Sequence, residues 1–223
     1  MPTPFARPAT LTVLSIVPLM SLLTAPASCV HADEAPANST LALSETFDGP
    51  LDNQWKINTG DWKVEDGVLM ARERKADQHS AAARRILETG NAVYELNFQF
   101  TDNAKAFHLG FDPRKGTLDK KGHLFSVIVT PTSWKIMKHV DKARPKDAPN
   151  ETLATAKHQF APGRWYRLRV TTWENYVTAK IDNRHTLKAS DPSFRVKKPT
   201  LVFRCQGDGV QIDDLRVWTQ AGQ

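Results

Sequence analysis

The chain has 223 residues, room for one large β domain or two small ones, and a formal net charge of +6. Its basic loops, around Lys115, Lys120 and Lys121 and again around Lys142, Arg144 and Lys146, are interleaved with aspartate and glutamate. That dispersal excludes a concentrated nucleic-acid footprint.

The N-terminus carries an address. Arg7 precedes an apolar run at residues 11–23, and Val30-His31-Ala32 offers the small-x-small pattern of a signal peptidase site. Residues 1–32 therefore read as a signal peptide, and the mature protein as secreted or periplasmic. Cys29, after Ala27-Ser28, supports lipid anchoring as a second reading, disfavoured by Pro26 where such signals carry a branched aliphatic residue. The apolar run is too short for a span and nothing later resembles one, so no transmembrane segment is expected. Cleavage before Asp33 leaves Cys205 alone, without a disulfide or a cysteine zinc site. Cys205 alternates with Leu201 and Phe203, the pattern of a buried small hydrophobe.

Residues 33–42 are polar and proline-containing, a flexible spacer, and residues 43–219 read as one β domain. Glu65-Asp66-Gly67 is a hairpin turn between runs at 61–64 and 68–71. Residues 80–87 hold a fair helix former, AAARRIL, but the turn and strand after it favour a strand. Tyr94, Leu96, Phe98 and Phe100 make the cleanest apolar row, against Glu95, Asn97 and Gln99. Phe107, Leu109 and Phe111 alternate with His108, Gly110 and Asp112. Runs at 123–130 and 134–140 follow, then a charged loop at 141–150. In GRWYRLRVTTWENYVTAKIDN, Tyr166, Leu168 and Val170 oppose Trp165, Arg167 and Arg169, and Val177, Ala179 and Ile181 continue the apolar face after a turn. Two more strands lie at 201–205 and 210–218. About a dozen short strands with no long amphipathic helix predict an all-β, two-sheet antiparallel sandwich.

Several strings together, FDGPLDNQW, GDWKVEDGVL, VYELNFQF, GHLFSVIVTP, the hairpin above and VQIDDLRVW, resemble the laminin-G-like, concanavalin A-like jelly rolls. The chain looks similar to the exported bacterial proteins grouped with the 3-keto-disaccharide hydrolase domain, of planctomycete type, over residues 45–218. The resemblance implies a jelly roll associated with carbohydrate. Its motifs are core aromatics and turns, so it implies little about activity. The relatives' Asn-Ser-Gly segment followed by arginine is missing, since the matching strand reads AFHLGFD. The carboxylates that alternate on one strand in laminarinase-type hydrolases are missing too, because Glu95 stands with Asn97 and Gln99. Cleavage by the usual route needs two carboxyl groups across the scissile bond.

The outward rows supply the candidate site. Asn97, Gln99, Arg167, Arg169, Arg204 and Gln206 offer the planar polar groups that sugars need, and Trp165 an aromatic plate. Glu95, His108, Asp112 and His123 are candidate acids or bases. His108 and Asp112 lie roughly 13 Å apart if on one strand, at about 3.3 Å per residue, so His123 or Glu95 makes the better partner. Glu45, Asp48, Asp213 and Asp214, near the two chain ends, are candidate ligands for a structural calcium. The leading expectation is an exported protein that binds a glycan through a polar concave sheet face. An enzyme acting on 3-keto-glycosides is the alternative, and a cell-envelope interaction domain the third reading. A sugar site built from these residues requires Glu95, His108, Arg169 and Arg204 on one surface, and alternation alone leaves open which sheet each strand joins.

Overall fold

The computed structural model describes residues 35–220; residues 1–32, expected to be a signal peptide, and with them Cys29, lie outside the described residues. The strands are β1 (Ser39–Glu45), β2 (Trp55–Thr59), β3 (Asp61–Glu65), β4 (Val68–Arg72), β5 (Ala81–Thr89), β6 (Ala92–Phe100), β7 (Ala104–Phe111) and β8 (Phe125–Thr130). They continue as β9 (Ser133–Lys138), β10 (Glu151–Lys157), β11 (Trp165–Trp173), β12 (Tyr176–Ile181), β13 (His185–Ser190), β14 (Lys198–Gly207) and β15 (Val210–Gln220). Short 3₁₀ turns at Lys75–Asp77 and Pro192–Arg195 are the only helical pieces among the described residues.

Two antiparallel sheets result. The first runs β13-β12-β11-β6-β15-β4-β3, with β1 also paired to β15. The second runs β10-β9-β8-β7-β14-β5-β2. Residues 81–89 form a strand, as the turn after them requires, despite their helix-forming composition. The Asp66-Gly67 turn puts two successive residues at positive φ, 51° and 76°, the geometry of a two-residue hairpin. β1 starts at Ser39, inside the expected spacer, because its register with β15 reaches Gln220.

The sheets meet through their apolar rows. Phe98 of β6 stacks on Phe107 of β7 at 5.5 Å and on Tyr166 of β11 at 5.7 Å, and Tyr94 meets Phe111 at 4.8 Å. Leu201, Phe203 and Cys205 of β14 are fully buried in the same cluster. Each such aromatic contributes about 1.5–3 kcal/mol by leaving water. Burial pushes the Cys205 thiol up to about 12, helped by the charge of Glu73, so it is an inert core group. Because these rows point inward, each sheet turns its other row outward, and the two outward faces lie on opposite sides of the sandwich.

Candidate functional site

The outward face of the second sheet carries the polar cluster. On β7 it shows His108 and Gly110, with Asp112 just past the strand, and on β14 Thr200, Val202, Arg204 and Gln206. Arg204 pairs in register with His108 on one side and Ala82 on the other. Arg84, two residues on from Ala82, therefore joins the same row.

Asp112 is a junction. Its Oδ1 lies 2.5 Å from Nδ1 of His123, and its Oδ2 accepts from Nε of Arg84 and from Oγ1 of Thr200, each at 3.0 Å. Burial acts to raise its carboxyl, but the hydrogen bonds and charges of His123 and Arg84 outweigh it and hold the group down at about 2. Of the two partners that the strand spacing favours over His108, it is His123, entering from the loop before β8, that meets Asp112, and Glu95 lies on the other sheet.

Beside this junction the rings of His123 and His139 lie 5.4 Å apart, and Nε2 of His139 lies 2.7 Å from Oγ of buried Ser126. Gly110 makes that approach possible. A Cβ at Gly110 would come within 2.6 Å of the Ser126 hydroxyl. Burial, then the charges of His123, His108 and Arg204, press His139 down to about 3. Burial and the charges of Arg204, Lys135 and His123 lower His108 to about 4. Both imidazoles are thus neutral at pH 7. The Nδ1 atom of His108 is buried without a hydrogen-bond partner.

Arg204 donates through Nη2 to Nε2 of His79 at 2.9 Å, while Nδ1 of His79 lies 2.8 Å from the Ser80 carbonyl. The two bonds fix the His79 proton on Nδ1. Arg84 also reaches Oδ1 of Asn58 through Nη1 at 2.5 Å. Four of the seven histidines in the sequence, His79, His108, His123 and His139, meet on this face.

These groups surround a cavity of about 410 Å³, within the roughly 300–1,000 Å³ range of small-ligand sites. Arg84, Arg204, His79, His123 and His139 line it, with Ala82 and Val202 as its apolar patch. Asn58 and Thr59 from β2, with Val140, Lys142 and Asn150 from loops, complete the wall. Asp141 anchors the loop that supplies Lys142 and Asn150: its carboxylate accepts the backbone N–H groups of Lys121 and Ala143 at 3.0 and 2.9 Å and is held down at about 2.

The residues expected to form one site divide between the two faces. His108, Asp112, Arg204 and Gln206 project from the second sheet, with His123 joining them from its loop. Glu95, Asn97, Gln99, Trp165, Arg167 and Arg169 belong to β6 and β11 of the first sheet. There Glu95 accepts from Nη1 of Arg169 at 3.0 Å, and the Arg169 guanidinium lies 5.9 Å from the Trp218 ring centroid. Asn97 donates to Oδ2 of Asp214, and Gln99 donates to the Gly163 carbonyl. Trp165, 40% exposed, stands opposite Gln99 on the first sheet, whereas the histidine cluster belongs to the second. The proposed convergence of Glu95 and Arg169 with His108 and Arg204 is thus not found. His79, Arg84, Asn58, Asn150 and Ser126 are site residues that the alternation did not single out.

Of the four carboxylates near the chain ends, Asp213 is raised by burial and by the charges of its neighbours Asp214 and Asp48, while Glu45 is engaged elsewhere. Glu45 holds Nε of Arg85 at 2.6 Å and the indole N–H of Trp55 at 3.3 Å, and Asp48 holds the Thr46 hydroxyl at 2.6 Å. Asp213 accepts the Asp214 backbone N–H, and Asp214 accepts from Arg216. Among the described residues no three histidine, cysteine, aspartate or glutamate side chains are grouped to hold a metal ion.

No protein-family model matches the sequence, and no curated protein matches it. Solved structures do match the fold. A non-specific endo-β-1,3(4)-glucanase of family GH16 is similar at 12% identity and a TM-score of 0.63, covering 83% of this chain and 92% of its own. The laminarinase from Rhodothermus marinus is similar at 11% identity and a TM-score of 0.61, over 82% and 98%. The carbohydrate-binding module CBM66 from Bacillus subtilis is similar at 16% identity and a TM-score of 0.52, over 77% and 97%. The fold is a concanavalin-like jelly roll. At these identities the likeness is one of fold. Within that jelly roll, the outward face of the second sheet is where a cavity and a polar cluster coincide. No helix among the described residues is long and apolar enough to cross a membrane.

Proposed function

We propose that this chain is an exported protein that binds a carbohydrate in the cavity on its second sheet. The observation that carries the reading is the cavity itself. Planar bidentate groups, the guanidinium groups of Arg84 and Arg204 and the amides of Asn58 and Asn150, converge there with imidazole faces around a volume of about 410 Å³. Hydroxyl-rich ligands are held by such paired donors and acceptors, and flat rings pack on their C–H faces. Structural relatives named for glucan cleavage and carbohydrate binding support the choice of ligand class. Export rests on residues 1–32, and N-terminal sequencing of the secreted form tests it.

Cleavage by a carboxylate pair is not what this wall supports. No aspartate or glutamate lines the cavity, and Asp112 beside it is already bonded to three partners. The Asp112–His123 pair favours a second reading. A carboxylate that orients an imidazole is an acid/base device, and it suits proton abstraction next to a carbonyl, as in a 3-keto-glycoside. This is the reaction that the likeness to the 3-keto-disaccharide hydrolase group implies.

The experiment is a glycan array probed with the full chain, paired with a turnover assay on a nitrophenyl 3-keto-glucoside. Retention of at least one glycan, lost in Arg84→Ala, supports binding. Aglycone release that His123→Asn abolishes supports the enzyme. Neither retention nor release refutes both.

A further inference from the structure

The sugar cavity has a sign. Arg84, Lys142 and Arg204 line it and no carboxylate does. Asp112, beside it, spends its two oxygens on His123, Arg84 and Thr200. Arg204 has a neutral partner, His79, and among the described residues no carboxylate pairs with Arg204 or Lys142. Burial and the charge of Arg84 both act against the Arg204 cation. A half-buried guanidinium in that setting lacks the counter-charge that such groups ordinarily have.

The positive surface continues next door. An adjoining hollow of about 320 Å³ shares Arg84, His123 and Lys142 with the first and adds Arg114, Lys115 and Lys120. Asp112 is its one acidic lining residue. Arg114 leans on Glu88 at 3.5 Å in an exposed pair, and Lys120 donates to the carbonyls of His139 and Val140. The two basic loops, far apart in sequence, meet here: Lys142 donates its backbone N–H to the Lys121 carbonyl, and its side chain packs at Gly122. Neutral sugars gain nothing from so one-sided a lining, since clefts lined by one sign of charge concentrate the opposite sign.

We propose that the ligand is an acidic glycan, bearing carboxylate or sulfate groups, with one acidic group held among Arg204, Arg84 and Lys142 and the next along the loop from Pro113 to Gly122. This deepens the carbohydrate reading and rests on it. The acidic group supplies the counter-charge that the cavity lacks, and the guanidinium forks suit its paired oxygens.

The test is calorimetric titration of the full chain with oligogalacturonate and a heparan sulfate fragment, against neutral laminaritriose and xylotriose, with sodium sulfate as the inorganic probe. Binding of at least one acidic oligosaccharide, at least about tenfold tighter than both neutral ones, supports the proposal. That affinity should fall as ionic strength rises from about 0.02 M to about 0.2 M. Arg204→Gln should weaken it about ten- to hundredfold, the loss expected for hydrogen bonds to a charged group. Should Arg204→Gln lose its fold by circular dichroism, Lys142→Gln and the salt series of the unaltered chain decide. Neutral trisaccharides binding equally well, with no salt dependence, overturn the acidic ligand and leave the sugar reading standing. Sulfate binding with no oligosaccharide binding tighter than sulfate overturns the glycan and leaves an anion site. No binding by any probe overturns both.

Discussion

Acidification tests the electrostatics of the cavity without changing a residue. His108 and His139 are pressed down to about 4 and about 3 by burial first and by surrounding cations second. Every neighbouring group acting on them disfavours protonation: Arg204, Lys135 and His123 on His108, and His123, His108, Arg204 and Lys120 on His139. Both stay neutral in the folded chain at pH 5, whereas the unfolded chain protonates them below about 6.5. The unfolded state then binds more protons, so stability must fall as pH falls, starting near 6.5 and ending at the folded values. Between pH 6.5 and 5 the loss is about 2 kcal/mol per histidine, at about 1.4 kcal/mol per unit. Both together give at most about 4 kcal/mol, a large part of a typical 5–15 kcal/mol stability. Asp112 does not cancel this, because its lowered value of about 2 keeps it ionised throughout that window. Its own contribution, present above the unfolded carboxylate value, disappears only as pH falls through about 2. The assay is urea unfolding followed by tryptophan fluorescence at several pH values between about 7.5 and about 5, with His108→Gln alongside. The fall should shrink by about 2 kcal/mol in that variant. A flat profile, or stability that rises on acidification, would refute the account of these imidazoles as desolvated and surrounded by cations.

Three substitutions separate the faces. Asp112→Asn leaves Arg84 and His123 without their counter-charge, so unfolding free energy should drop by about 2–3 kcal/mol in a denaturant titration, together with loss of glycan retention. Gly110→Ala forces a Cβ against the Ser126 hydroxyl and should cost about 1–3 kcal/mol, with the His139 ring resonances shifted in NMR spectra. Glu95→Gln, on the opposite face, should lower stability measurably, because half-buried Arg169 loses an ionised acceptor, yet leave glycan affinity within about twofold. Loss of binding in that variant would mean that the first sheet, not the second, carries the site.

The fold was legible because its signal is local. The row Tyr94, Leu96, Phe98 and Phe100 and its counterparts on β7, β11 and β14 alternate without a break, and the sandwich buries every one of them. The Asp66-Gly67 turn was readable from its residues for the same reason. Strands β2, β10 and β13 were not foreseen, and all three are sheet edges. An edge strand buries little: the burial of β10 is irregular and β13 keeps Leu187 as its one buried side chain. Their alternation is correspondingly weak.

The site was half legible, and the reason is geometric. Period two says which residues share a face of a strand, but a sandwich has two outward faces and the same pattern serves both. Glu95 with Arg169 and His108 with Arg204 look alike in sequence, a polar pair on an otherwise apolar strand. Only the long-range pairing of β6 with β11 and β15, and of β7 with β14 and β8, puts them on opposite sides. Net charge misleads in the same way. Spread along the chain, the lysines of the 115–121 and 142–146 loops look solvated and diluted by acids. Folding brings Lys120 and Lys142 against the same adjoining hollow while Asp119 stays solvent-exposed and Asp141 turns its carboxylate to backbone N–H groups and Arg144. Asp119, Asp141, Asp147 and Glu151 line a neighbouring hollow that shares His139 and Asn150 with the cavity, and none of them lines the cavity itself. A modest total charge is therefore compatible with a strongly cationic binding surface, and the sign of a site has to be counted over its lining residues.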